Sequence, residues 1–214
     1  MCGRFSLDLP PQVLKDEFGW LEGEILGLPR YNVSPTEEVV AVTSDSQPLF
    51  LRWGLIPWYA KKPGKPLIQA RSETVAEKSA FAQSFQRRRC LIPASGFFEW
   101  DRSSGKPLPY HIRRRDGHPL VMAGIYDWWK SPQGERLGSC CVLTTEANRD
   151  VATVHDRMPV VIEAGDYAGW LEGDLDQAAG LLGPARADLE VYRVSTVVNK
   201  AGHDVPECLV PLEM

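Results

Sequence analysis

Short apolar runs, broken repeatedly by turn residues, dominate this chain. Cys2–Leu7, Glu38–Thr43 and Leu49–Trp53 read as strands. So do Cys90–Ala94, Phe97–Trp100, Pro109–Arg113, Leu120–Tyr126 and Leu137–Thr144, with Val191–Val198 as a last strand. The breaks are Ser103-Ser104-Gly105, Asp116-Gly117 and Ser131-Pro132-Gln133-Gly134. Helical spacing is rarer. Pro10-Pro11 opens a helix that puts Val13, Leu14 and Phe18 on one face and closes at Gly19. Ser72, or Thr74 with Glu77 three residues on, caps a helix running to about Phe85, and Tyr167–Leu171 and Asp176–Leu182 read as short helices. No repeat, low-complexity tract or linker divides the chain. The pattern predicts an α+β fold: a single domain over 1–214, with an antiparallel, barrel-like β-sheet and peripheral helices.

Composition narrows the setting. The 214 residues are 24% charged, and no apolar stretch approaches the ~18 residues of a membrane span. Asp8, Pro10 and Pro11 interrupt any secretory signal, so a cytoplasmic protein without membrane association is expected. Five cysteines with no C-x-x-C pair suit a reducing compartment and supply neither a disulfide framework nor a zinc knuckle. No ligand set suggests a metal, and no cofactor is expected. The net charge of −4 does not advertise nucleic-acid binding, but its distribution is uneven. Arg52–Arg89 holds nine basic and two acidic residues, +7, whereas Glu163–Glu190 holds one basic and seven acidic, −6. Such a dipole makes either a basic face opposite an acidic one or merely scattered surface charge.

Several residues carry candidate chemistry. Removal of Met1 would leave Cys2 with a free α-amine and a thiol on adjacent carbons. The amine, with a pKa near ~7.7–8, condenses with an aldehyde, and the sulfur can then close a five-membered thiazolidine. Otherwise Cys2 is an accident of composition. In Phe97-Phe98-Glu99-Trp100, strand alternation sets Phe97 and Glu99 on one face and Phe98 and Trp100 on the other. Glu99 is then either an edge carboxylate facing water or a poorly solvated one whose raised pKa lets it give and take protons. In His155-Asp156-Arg157-Met158-Pro159, alternation aims His155 and Arg157 the same way, an imidazole beside a guanidinium suited to a phosphate; a loop histidine with a surface ion pair is the plainer alternative. Gln69 and Arg71 stand two apart just before a helix, where an amide can orient a reacting group and an arginine can hold a phosphate. Trp58-Tyr59, in a loop rich in Pro and Lys, cannot easily bury itself and could stack on unpaired bases.

In order, Met1-Cys2-Gly3-Arg4, Tyr31-Asn32-Val33-Ser34-Pro35, Arg52-Trp53-Gly54-Leu55-Ile56-Pro57-Trp58 and Ala70-Arg71-Ser72-Glu73-Thr74 form one half of a pattern. Cys90-Leu91-Ile92-Pro93, Gly96-Phe97-Phe98-Glu99-Trp100, His155-Asp156-Arg157-Met158-Pro159 and Pro206-Glu207-Cys208-Leu209 form the other. The chain resembles the SRAP (SOS response-associated peptidase) family in its bacterial single-domain form. The resemblance implies an enzyme of the DNA-damage (SOS) response that binds single-stranded DNA and crosslinks itself to abasic sites through a thiazolidine. It implies Cys2 as nucleophile, Glu99 as proton-transfer carboxylate and His155 as the acid that opens the sugar. It also implies DNA contacts at Arg4, Arg71, Arg157, Asn32 and the Trp58-Tyr59 loop, and a monomer. The family usually has asparagine where this chain has Gln69, so the amide role falls to Gln69 or is shared with Asn199. Two alternatives stand beside this: a thiol-dependent N-terminal-nucleophile peptidase or hydrolase that uses the same residues, with His155 as base, and a non-enzymatic single-strand-binding module with an incidental cysteine.

Overall fold

A computed structural model describes residues 2–25 and 27–212. In chain order its strands and helices are β1 (Phe5–Leu7), α1 (Pro11–Glu17), β2 (Arg30–Val33), β3 (Glu38–Ala41), β4 (Leu49–Trp53), β5 (Gln69–Arg71), α2 (Ala82–Arg87) and β6 (Arg89–Ala94). They continue with β7 (Gly96–Asp101), β8 (Leu108–Arg114), β9 (Leu120–Lys130), β10 (Arg136–Glu146), β11 (Arg157–Pro159), α3 (Tyr167–Leu171), α4 (Leu175–Gly180) and β12 (Leu189–Arg193).

The strands form two sheets. One runs β12-β8-β7-β1-β2; the other runs β3-β4-β10-β9-β6, with β5 and β11 also on β10. A bridge between Val42 and Leu91 brings the β3 edge back to β6, so the second sheet nearly closes on itself. This is the expected α+β, barrel-like architecture with small peripheral helices. The sheet is not wholly antiparallel, however: β10 runs parallel to both β4 and β5. Such pairings join segments far apart in sequence, and no local pattern announces them.

The hairpin turns form where turn residues cluster, with Gly105, Gly117 and Gly134 at φ of 85°, 77° and 93°, a region open to glycine and strained for other residues. Strand β6 is buried throughout, and β9 and β10 have long buried runs, because the barrel interior covers one face and the helices cover the other. Buried Arg89 donates to the carbonyls of Phe85 and Gln86 at the end of α2, to that of Trp170 in the last turn of α3 and to that of Gly173 just beyond it. One cation thereby satisfies two helix C-termini.

The helix expected over 72–85 is split into a 3-10 turn, Ser72–Thr74, and α2. Val75 is buried and Phe81 half-buried. Six residues apart, they fall on different sides of a helix, so turns rather than one continuous helix direct both inward. The strand expected to reach Val198 ends at Arg193, and Ser195 caps a 3-10 turn, Thr196–Asn199, by accepting the Val197 N–H. That turn and the C-terminal segment cover the outer face of the first sheet, where Phe98, Val194, Val198 and Cys208 form a small second core. Phe97 points into the main core, as the alternation predicts.

Candidate active site

The site is built where the two sheets meet. Phe5 pairs with Phe97 and Ser6 with Gly96, and the Phe98 N–H donates to the Arg4 carbonyl. Continuing that register puts Gly3 across from Glu99, with Cys2 beside it. Glu99, on the inward face of β7 with Phe97, is only 2% exposed. Of its two expected settings it occupies the desolvated one. Burial is the main cause pushing its carboxyl up to about 7, from an ordinary 4.5. Cys2 lies in the main core, fully buried, and its thiol is pushed up by burial first and then by the Glu99 charge. In the 214-residue chain its nitrogen is an amide, so neither nucleophile is available in this form.

His155 closes the other side of Glu99, with Nε2 3.9 Å from Oε2. The Arg157 N–H donates to His155 Nδ1 at 2.9 Å, while Asp156 Oδ1 lies 3.0 Å from the same nitrogen. One nitrogen cannot accept from the amide and donate to the carboxylate at once. Burial lowers the imidazole pKa, which favours the neutral ring. The amide contact therefore holds, the proton sits on Nε2 facing Glu99, and Asp156, 87% exposed, is solvated.

Around this pair the strands supply cations. At its C-terminal end β10 has β5 on one side and β11 on the other: Thr144 pairs with Arg71 and with Pro159. Gln69 and Arg71 share a face of β5, with Ala70 buried between them, and a cavity of about 390 Å³ opens beside them, lined also by Leu67, Lys78 and Phe81. Arg71 is exposed. Arg157 Nη2 donates to the Thr144 carbonyl at 2.7 Å, and the guanidinium grips Glu73 with both terminal nitrogens. That grip holds the Glu73 carboxyl down to about 2, with a smaller contribution from Arg71.

Two expected contacts are turned inward. Asn32 is fully buried, and its amide donates to the carbonyls of Val198, Lys200 and His203. It could reach a nucleic acid only through Arg4, whose Nη1 donates to Asn32 Oδ1 and to the Val198 carbonyl, both at 2.7 Å. The sequence places Asn32 among DNA contacts; the fold uses it to tie the C-terminal segment to β2. Arg4 lies 6.0 Å from the Trp100 ring, and Trp100 donates to Asn199 Oδ1 at 2.7 Å. Asn199 thus holds a tryptophan through its side-chain oxygen.

Trp58 and Tyr59 stand out at 55% and 48% exposure, edge to face at 5.8 Å. Their loop is anchored by the Trp58 N–H on buried Asp127, which also pairs with Arg88 at 3.0 Å. Two of the cations counted towards a basic face, Arg88 and Arg89, therefore serve the interior, while Arg52, Lys61, Lys62, Lys65, Arg71 and Arg87 are exposed. Glu73 and Thr144 escape a reading of the sequence. The only local signal for Glu73 is an acidic residue two positions from an expected phosphate arginine. Among the described residues no group of three His, Cys, Asp or Glu is placed to hold a metal ion. Among the described residues no helix is long and apolar enough to cross a membrane.

A model of the family described as SOS response associated peptidase (SRAP) matches residues 1–201. The abasic site processing protein YoqW of Bacillus subtilis is 38% identical, over 98% of this chain and 99% of that one. The abasic site processing protein HMCES of Gallus gallus is 34% identical over 77% of this chain and 57% of its own. A solved structure from Bacteroides thetaiotaomicron superposes with a TM-score of 0.90, covering 99% of this chain and 100% of that one, at 23% identity, a likeness of fold. Matched by its family model over nearly its whole length and by a close-spanning relative, the chain belongs to the SOS response associated peptidase (SRAP) family.

Proposed function

We propose that this protein processes abasic sites in single-stranded DNA by forming a thiazolidine between mature Cys2 and the ring-opened sugar. Relatives named for abasic-site processing support the general activity. What supports the chemistry is one observation: a buried carboxyl, pushed up to about 7, lies 3.9 Å from the Nε2 of His155 and near enough to the Cys2 thiol for its charge to raise it.

Removal of Met1 frees the α-amine. Ring opening moves the proton of the anomeric hydroxyl to the ring oxygen. Nε2 of neutral His155 gives its proton to the ring oxygen as the C–O bond breaks, the Glu99 carboxylate takes the proton of the hydroxyl that becomes the aldehyde, and that proton returns to Nε2. The Cys2 amine adds to that carbonyl carbon, and the carbonyl oxygen leaves as water once Glu99 has delivered a proton. The sulfur then adds to the imine carbon, and the thiol proton ends on the ring nitrogen. A carboxyl with a pKa near the working pH can make both transfers, which is the condition for efficient general acid–base catalysis. Arg71 and Arg157 are suited to hold flanking phosphates, and exposed Trp58 and Tyr59 to stack on neighbouring bases.

The test is incubation with an abasic-site oligonucleotide followed by a denaturing gel. The proposal predicts a heat-stable adduct that Cys2→Ala abolishes while binding of an intact strand stays within about twofold. Adducts that survive in Cys2→Ala would refute it. Peptide cleavage without any DNA adduct would favour the thiol-hydrolase alternative.

A further inference from the structure

We infer that Glu73 is a built-in stand-in for a DNA phosphate: it occupies the Arg157 fork in the free protein and must be displaced when a strand binds. The inference rests on the proposed DNA-binding reading and adds a residue that sets the strength of that binding.

The geometry is specific. Glu73 projects from the 3-10 turn that follows β5, reaches over the end of β10 and meets Arg157 at the start of β11. Both of its oxygens are engaged by the two terminal nitrogens of the guanidinium, with Nη2–Oε2 at 3.0 Å. This two-pronged contact is the one an arginine offers a phosphate. Arg71, two residues before Glu73, is exposed, and among the described residues its guanidinium makes no hydrogen bond or ion pair, although its charge acts on Glu73. The Glu73 carboxylate thus lies among the cations proposed for the DNA backbone, where a phosphate would otherwise have to be.

The two partners differ in freedom. The Arg157 side chain is 14% exposed and fixed from behind by the Thr144 carbonyl, whereas the Glu73 side chain is 50% exposed. The fork is therefore held in place and its occupant can swing into water. An ion pair open to water on one partner's side contributes little, so a phosphodiester can replace it. Meanwhile the carboxylate keeps two neighbouring arginines from repelling each other and covers the fork against stray anions.

The experiment measures fluorescence anisotropy of a short intact oligothymidylate against Glu73→Gln, Glu77→Gln and Arg157→Gln, and against the Glu73→Gln/Arg157→Gln double variant, over a range of salt. Glu77 is exposed nearby and controls for simple loss of negative charge. Glu73→Gln is expected to tighten binding about three- to tenfold with the log–log salt slope little changed, because the same cation meets the strand in both proteins and only the carboxylate no longer has to be displaced. Glu77→Gln should do less, and the gain should vanish in the Arg157→Gln background. Melting curves check that each variant folds, and Glu73→Asp, which retains the charge on a shorter arm, should lie between wild type and Glu73→Gln. Unchanged or weaker binding in folded Glu73→Gln overturns the inference. So does an equal gain from Glu77→Gln. The abasic adduct assay reads the proposed function separately, so crosslinking without a Glu73 effect removes only this inference. Failure of both wild type and Glu73→Gln to bind the strand removes the inference together with the DNA-binding reading.

Discussion

Two glutamates at this site have been driven in opposite directions. Glu99 is buried on β7 and its carboxyl is pushed up to about 7; Glu73, on an exposed turn, is held down to about 2 by Arg157. The same side chain becomes a proton carrier where water is excluded and a permanent anion where a guanidinium faces it. The inner group is suited to chemistry and the outer one to electrostatics. The site is layered accordingly, with Cys2, Glu99 and His155 within and Arg71, Arg157 and Glu73 at the rim.

The sharpest way to break this division is to neutralise the inner carboxylate. Glu99→Gln should slow adduct formation by about 10²–10⁴-fold, measured as single-turnover rates on an abasic strand, with intact-strand affinity unchanged. The wild-type rate should show an inflection near pH 7 that the variant lacks. An unaltered rate would remove Glu99 from proton transfer. His155→Ala should cost about 10²-fold in the same assay, again without loss of binding.

Stability should move the other way. The folded-state pKa of Glu99 is above its ordinary 4.5, so the native state holds this proton more tightly than the unfolded state. Its stability contribution is fully present below about pH 4.5 and is lost as pH rises through about 7, a loss of about 3 kcal/mol at most. Glu99→Gln should therefore be more stable than wild type at pH 8, by about 1–3 kcal/mol and several degrees in Tm, and the gain should shrink towards pH 5. Denaturant melts at the two pH values check it; a variant less stable at pH 8 would contradict the burial argument.

The sequence foretold the inner layer better than the rim, for a physical reason. Phe97, Phe98, Glu99 and Trp100 alternate within one strand, and a two-residue period assigns their faces without tertiary knowledge. Most other strands are apolar runs bounded by glycine turns and read equally well. The rim depends on β5 and β11, three residues each, whose Gln-Ala-Arg and Arg-Met-Pro carry too little pattern to announce a strand. Both owe their existence to β10, one in parallel pairing across some seventy positions of chain. Asn32, which the family resemblance put among the DNA contacts, has surroundings that no local pattern announces: its amide donates to three carbonyls that arrive only when the C-terminal segment folds back.

Rim substitutions should have smaller effects. Arg157→Gln should weaken binding of intact single strands by about 10-fold and flatten the salt dependence, with crosslinking recovering at high DNA concentration. A drop in the rate at saturating DNA would assign Arg157 to the chemistry instead. Glu73→Gln should change stability at pH 7 by no more than about 1 kcal/mol, since its ion pair is half exposed.

In the proposed reaction the mature N-terminal aminothiol, and no other group, captures the abasic aldehyde. Intact mass spectrometry of the adduct after borohydride treatment tests it most directly. The expected species equals the protein lacking Met1 plus the oligonucleotide minus one water, is unchanged by borohydride and has Cys2 closed to alkylation. An adduct that retains Met1, or one that gains two hydrogens on reduction and leaves the Cys2 thiol free, would contradict it.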